Sequence, residues 1–159
     1  MDKRLRLREL REDDLKDRVH MCNDKDIQML MSGQTFDQEV TLEDMKTWFK
    51  LRQQERASVQ YAIVYEDIYI GDVDLNSINQ EDQSAYIIPM IGKKAYWNRG
   101  LGTQALERVK EIARDDLALN TIYLEVLPFN HRAIRTYEKI GFVSVGESED
   151  GQSIMKVSL

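Results

Sequence analysis

From Arg4 to Leu10 apolar and polar residues alternate, with Leu5 and Leu7 on one face and Arg4, Arg6 and Arg8 on the other. That alternation predicts a half-buried strand. Glu12 to Asn23 predicts a helix with Asp13 as its cap, and Met29 to Val40 holds no regular period. Thr41 opens the next helix as a hydroxyl cap, Asp44 places a carboxylate in its first turn, and Leu42, Met45, Phe49 and Arg52 trace one stripe along it. Gln60 to Tyr65 and Ile68 to Asn76 are rich in β-branched and aromatic residues, and Glu66-Asp67 between them predicts a hairpin. Ala85 to Ile91 continues as a third strand. Gly100 to Leu117 is an amphipathic helix, with Leu101, Ala105, Val109, Ile112 and Ala113 on its apolar side. Thr121 to Val126 follows as a strand, and Asn130 to Ile140 as a helix stopped at Gly141. Val143–Val145 and Ile154–Val157 close the chain as short strands around Asp150-Gly151.

The order β-α-α-β-β-β-α-β-α-β-β predicts an α/β fold, a central mixed sheet flanked by about four helices. Within it, Ala85–Ile91, the long helix and Thr121–Val126 form a βαβ unit. No repeat or Pro/Gly-rich linker divides the chain, so residues 1–159 read as one domain. A hydrophobic fraction of 42% against 31% charged is that of an ordinary globular protein. The net charge of −6 argues against broad phosphate-backbone binding, hence against a nucleic-acid partner, and suits a cationic one. Cys22 is the only cysteine, so no internal disulfide can form, which fits a cytoplasmic protein. Met1 to Arg6 has no apolar stretch of a signal peptide, and no apolar run is long enough for a bilayer, so no membrane role is expected. One cysteine, His20 and His131 cannot assemble a typical zinc site, so no metal is expected.

Chemistry concentrates in two segments. In the first, Ile91 ends a strand and Trp97-Asn98-Arg99-Gly100-Leu101-Gly102-Thr103 leads into a helix. The first amides of a helix lack intrahelical partners and sit at its positive dipole end, so they can hold phosphate oxygens. Gly100 and Gly102 let a ligand approach the main chain, and Arg99 and Lys94 could add charge. The segment is neither a dinucleotide fingerprint nor a Walker loop. A bare Gly-x-Gly is more ordinarily just a tight entry to a helix. In the second segment Asn130, Ala133, Ile134 and Tyr137 share one helix face. Asn130 and Tyr137 stand about 10 Å apart along the axis, one small polar group and one phenol for an extended ligand. A buried core tyrosine with a satisfied hydroxyl is the alternative.

Together the two segments resemble the GNAT acetyltransferases. That family has a strand, an Arg/Gln-x-x-Gly-x-Gly/Ala loop, a helix and a strand, then Asn-x-x-Ala-x-x-x-Tyr-x-x-x-Gly-Phe. Asn130, Ala133, Tyr137, Gly141 and Phe142 match the latter. The element order is matched over most of the chain and the motifs over Tyr86 to Phe142. Trp97 stands where the family carries Arg or Gln. The Tyr96-Trp97-x-Arg99-Gly100 form is similar to the branch of ribosomal-protein alanine and spermidine acetyltransferases, in which glycine is common at the place of Asn98. Asparagine is the next most tolerant residue for a left-handed backbone.

The resemblance implies direct attack of an amine on acetyl-CoA. The amine is a small molecule such as a polyamine or amino sugar, or a peptide amino terminus. A module that binds acyl-CoA without turnover is the competing reading. The resemblance further implies that Trp97, Asn98, Arg99, Gly100, Leu101, Gly102 and Thr103 hold the pyrophosphate. Met90 and Ile91 would hold the pantetheine arm where Pro89 opens the sheet, with Asn130 and Ala133 along that arm. Tyr137 is the expected general acid, protonating the departing thiolate. Phe36, Asp72, Asp74 and Tyr86 are the candidates for the acceptor side. Each of the two aspartates read singly is more ordinarily a surface residue. An exposed terminal strand can pair between copies, so a homodimer is also an expectation.

Overall fold

The computed structural model describes residues 2–159. The chain runs β1 (Leu5–Glu9), a short helical turn at Glu12–Asp14, α1 (Leu15–Asn23), α2 (Lys25–Ser32) and α3 (Leu42–Gln54). Then come β2 (Val59–Tyr65), β3 (Ile68–Asn79), β4 (Ser84–Ile91) and α4 (Leu101–Asp115), followed by β5 (Thr121–Val126), α5 (His131–Lys139), β6 (Val143–Glu147) and β7 (Ser153–Ser158). The strands form one sheet in the order β1-β2-β3-β4-β5-β7-β6. Every neighbouring pair is antiparallel except β4 and β5, which are parallel because α4 carries the chain back across the sheet.

Five helices are present among the described residues, one more than the sequence pattern gave. The addition is α2, in the stretch that looked irregular. It begins one residue after α1 ends, so its period is never seen apart from its neighbour's. Its signals are local: the Asp24 carboxylate accepts from the amides of Asp26 and Ile27, and Gly33 ends it with φ +77°. Asp13 is not the cap of α1. Asp14 stands there instead, and its carboxylate is turned back to the Arg11 amide and to Arg8. Thr41 and Asp44 cap α3 reciprocally, with Asp44 N–H donating to Thr41 Oγ1 and Thr41 N–H to Asp44 Oδ2. The β2–β3 turn carries positive φ at both Glu66 and Asp67, as a tight twisted hairpin requires.

The sheet is apolar on both faces, and each face has its own core. On one, Leu101, Ala105, Leu106, Val109 and Ala113 of α4 bury against Ile63, Val73, Leu75, Ile87, Ile122 and Leu124. On the other, Met21, Ile27 and Met45 from the first three helices cover Ala62, Val64, Tyr69 and Met90. Burial of each large side chain is worth roughly 1.5–3 kcal/mol. The first three helices and α4 are therefore fixed on opposite faces, and whatever lies between β4 and β5 communicates with both.

Candidate active site

β4 and β5 pair only over Ser84–Tyr86 and Thr121–Tyr123. Beyond that point both strands continue, to Ile91 and Val126, without pairing. Their parting opens a cavity of about 900 Å³. Its lining alternates with the strand period: Ile87 and Ile91 belong to the α4 face, Tyr86 and Ile88 to the α1–α3 face. The cavity thus passes through the sheet.

The main chain of β4 is divided in the same way. Gly92 N–H donates to Ile70 C=O, so in this antiparallel pair Met90, Ile88 and Tyr86 turn their polar groups to β3. Ile87, Pro89 and Ile91 turn theirs into the gap. Met90 therefore lines the cavity without offering its main chain there, and its side chain is buried in the helix-covered core. Ile91 does face the gap, but its carbonyl accepts from Trp97 Nε1 at 2.7 Å. Pro89 marks the opening without a bulge: the β3–β4 register runs unbroken from Gly71/Ile91 to Asn76/Tyr86.

The loop after β4 forms the next wall. Asn98 adopts φ +62° and Gly100 φ +74°, two left-handed residues that turn the chain sharply into α4. Nothing lies within 4 Å of where a Gly100 Cβ would sit, so its requirement is conformational. A Cβ at Gly102 would meet only Ile91 Cδ1, at 3.5 Å. No side chain caps α4, leaving the first amides of Leu101, Gly102 and Thr103 directed at the cavity mouth. Trp97, Asn98, Gly100, Leu101, Gly102 and Thr103 all line it.

Arg99 does not. Its guanidinium lies over Tyr65 at 5.1 Å and over Tyr96 at 5.2 Å, which anchors the loop. Lys94 is likewise engaged elsewhere, at 2.9 Å from Asp24 and 2.6 Å from Asp26. The cation at the mouth is Arg132, which sequence reasoning passed over. It lies over the Trp97 ring at 5.7 Å and donates to Asn98 Oδ1. Its only sequence signal was its place in the first turn of a helix that starts beside the glycine loop.

Asn130, Ala133 and Tyr137 of α5 line the cavity. Asn130 Oδ1 is spent on capping its own helix, accepting from Ala133 N–H at 3.3 Å, which leaves its amide NH₂ for a ligand. Tyr137 is mostly buried beside Phe142, at a ring separation of 5.8 Å, and its hydroxyl has no hydrogen-bond partner among the described residues. Burial pushes its pKa up to about 12, so the phenol stays protonated at neutral pH.

On the other face the expected acceptor residues divide. Tyr86 lines the cavity, stacked on Tyr123. Asp72 and Asp74 share that face but are neither at the surface nor in the cavity. Asp72 is 3% exposed, paired with Arg18 at 2.9 Å and accepting from the Tyr69 hydroxyl. Arg18 also covers the Trp48 ring at 4.0 Å. Asp74 accepts from Gln60 Nε2 at 2.7 Å. Phe36 is 46% exposed and lies outside the cavity, because buried Gln28 holds its amide at 2.9 Å and so fixes the loop after α2 away from β4. The carboxylate that does line the cavity is Glu125 of β5, on the same strand face as Tyr123. Its position in an apolar strand gave no hint of that role. Cys22 lies against the Arg18 cluster, not in the cavity, and burial pushes its thiol up, away from a nucleophilic thiolate. Among the described residues no His/Cys/Asp/Glu cluster could hold a metal ion, and no helix is long and apolar enough to cross a membrane.

A sheet parted at one parallel pair, with an uncapped helix beside the parting, defines a class of α/β protein with a cavity through its sheet. The acetyltransferase (GNAT) domain family matches residues 4–143, and the chain belongs to that family. Among similar proteins, the probable N-acetyltransferase san of Drosophila melanogaster is 34% identical over 86 residues, 54% of this chain and 47% of that protein. N-alpha-acetyltransferase 50 of Danio rerio is 34% identical over 79 residues, 49% of this chain and 47% of that protein. Each match thus spans about half the length of these curated relatives. Among solved structures, spermidine N-acetyltransferase from Vibrio cholerae, in complex with CoA and spermine, superposes with a TM-score of 0.87 at 22% identity, covering 99% of this chain and 96% of that one. Aminoglycoside acetyltransferase AAC(6')-Ib, in complex with coenzyme A and kanamycin, gives a TM-score of 0.81 at 22% identity, covering 97% and 94%. At such identities these superpositions establish the shared fold.

Proposed function

We propose that residues 1–159 form one GNAT domain that transfers the acetyl group of acetyl-CoA to a primary amine by direct attack. The observation that carries this reading is the cavity itself, lined by the uncapped start of α4 and Arg132, by the unpartnered Tyr137 phenol and by one carboxylate, Glu125. Acetyl-CoA supplies the thioester and its thiolate leaving group. The α4 amides from Leu101 to Thr103, with Arg132, hold the pyrophosphate, and the gap-facing main chain of Ile87 and Ile91 with the Asn130 amide flanks the pantetheine arm. Glu125 draws in the ammonium and takes its proton directly or through a water, so that the nitrogen lone pair reaches the carbonyl carbon. As the carbon–sulfur bond breaks, Tyr137 gives its proton to the leaving sulfur, and the second proton, which the nitrogen sheds as the amide forms, returns to the phenolate through water.

Acceptors named for similar proteins span polyamines, aminoglycosides and protein amino termini, and this reading admits any of those amines. A cytoplasmic location rests on the single Cys22. Homodimer formation rests on β6, an outer strand with all five residues exposed.

The test is thiol release from acetyl-CoA across a panel of amines, with acetyl-CoA binding followed in parallel by calorimetry. Release with any amine supports transfer. Binding without release from any amine supports a non-catalytic acyl-CoA module, and absence of both overturns the reading.

A further inference from the structure

The half of the cavity on the α1–α3 face has a chemistry of its own. We infer that its acceptor is an amine with a single positive charge and an apolar flank, not a polycation. This rests on the transferase reading above and narrows it.

The first argument is a charge count. Among the described residues Glu125 is the one carboxylate that lines the cavity. The two other acidic residues of that sheet face are already engaged, Asp72 by Arg18 and Tyr69, Asp74 by Gln60, and both are buried outside the cavity. One ammonium therefore finds a partner. A second or third on the same molecule would be desolvated against hydrocarbon with none.

The second argument is the hydrocarbon. Ile27, Leu30 and Met31 of α2, with Ile88 and Leu127, line this half. Leu30, Met31 and Ile88 remain 38%, 39% and 46% exposed, large apolar side chains left to water around an opening. Such a rim favours a ligand that covers it with its own apolar surface. Methionine adapts to different shapes, so the flank need not be one fixed group. The remaining polar groups here are uncharged: Asn76, Ser77, Tyr86 and Gln152. The Gln152 side-chain amide has no partner among the described residues. It suits a neutral carbonyl or amide next to the amine.

Two sources carry this chemistry, a peptide amino terminus with a large apolar first side chain and a small arylalkyl amine. The experiment compares kcat/KM at saturating acetyl-CoA for a short peptide beginning with leucine, the same peptide beginning with aspartate, phenethylamine, and spermidine. The better apolar monoamine is expected to exceed spermidine at least tenfold, and the leucine peptide to exceed the aspartate peptide by a similar factor. Their ranking against each other names the source. A doubly substituted Leu30→Asp, Met31→Asp chain, its fold checked by unchanged acetyl-CoA binding, should lose at least tenfold of the apolar preference. Spermidine turned over as well as or better than both apolar amines overturns this inference while leaving the transferase reading intact, as does an unchanged preference in the double variant. No CoA release with any amine overturns both.

Discussion

Tyr86 of β4 stacks on Tyr123 of β5 with ring centroids 5.2 Å apart, and these two residues form the last rung before the strands separate. The stacked rings stand at the fork of the sheet, where hydrogen bonding ends and the cavity begins. Stacking there supplies cohesion that the missing ladder bonds do not. Tyr86→Ala should lower unfolding free energy by about 2 kcal/mol, from lost ring burial and the aromatic pair. Tyr86→Phe, which keeps the ring, should stay within about 0.5 kcal/mol. Urea unfolding of the three chains checks both, and equal stability of all three would show that the fork needs no ring.

Tyr137 offers the cavity a protonated hydroxyl with no other partner. General acid assistance is typically worth on the order of 100-fold or more in rate. Tyr137→Phe is therefore expected to lower kcat by about that factor, while acetyl-CoA affinity changes by less than about threefold. Single-turnover kinetics with the preferred amine, beside calorimetry, separates the two. A variant with undiminished kcat would remove Tyr137 from the chemistry.

The same phenol predicts a pH dependence of stability. Burial raises its folded pKa to about 12, above an unfolded value near 10. Its contribution is fully present below pH 10 and is lost as pH rises from there toward 12. The slope is about 1.4 kcal/mol per pH unit for one such group. Tyr69 and Tyr61 are also shifted upward, so the parent chain alone cannot isolate the effect. The stability of the parent relative to Tyr137→Phe should fall steadily between pH 10 and 12. A difference that stays constant with pH would show that the phenol ionises freely.

Much of this arrangement was legible in the sequence, and the omissions have physical causes. The strands, α4 and α5 were readable because burial on one or both faces writes a period into the chain. Asn98 was readable as a left-handed position, since few side chains tolerate φ +62°. The helix α2 was lost because two helices abut across Asp24 alone. Adjacency to a glycine loop says nothing about the direction of the Arg99 side chain, whose guanidinium lies over two tyrosine rings and does not line the cavity. Arg132 and Glu125 were missed for the converse reason. Neither stands at a position of the matched motif, and only the parting of β4 and β5 shows that both line one space.

The Arg18–Asp72 pair fixes α1 to the sheet from a largely dry position, with the two side chains 14% and 4% exposed. Tyr69 and the Trp48 ring complete its surroundings. Asp72→Ala leaves a guanidinium buried and unpaired, which should cost about 3–5 kcal/mol. Removing both charges together, as Arg18→Met with Asp72→Leu, should cost much less than the two single changes added. A double-mutant cycle by urea unfolding measures the coupling. Strict additivity would show that the two charges stabilise the chain independently.

Arg132 and Asn98 make the final case, because their contact joins the first turn of α5 to the loop before α4. If Arg132 serves the pyrophosphate, Arg132→Ala weakens acetyl-CoA binding by about 10-fold, the scale of one lost charge-assisted hydrogen bond. Rising salt should then weaken binding to the parent chain more steeply than to the variant. Asn98 acts through backbone shape, so Asn98→Gly should bind acetyl-CoA within about threefold of the parent. Asn98→Val forces a β-branched residue into the left-handed region, and should lose about 1–2 kcal/mol of stability with a matching loss of affinity. Calorimetry at two salt concentrations on these three variants distinguishes charge from shape. Equal salt slopes for the parent and Arg132→Ala would show that the guanidinium holds the loop and not the ligand.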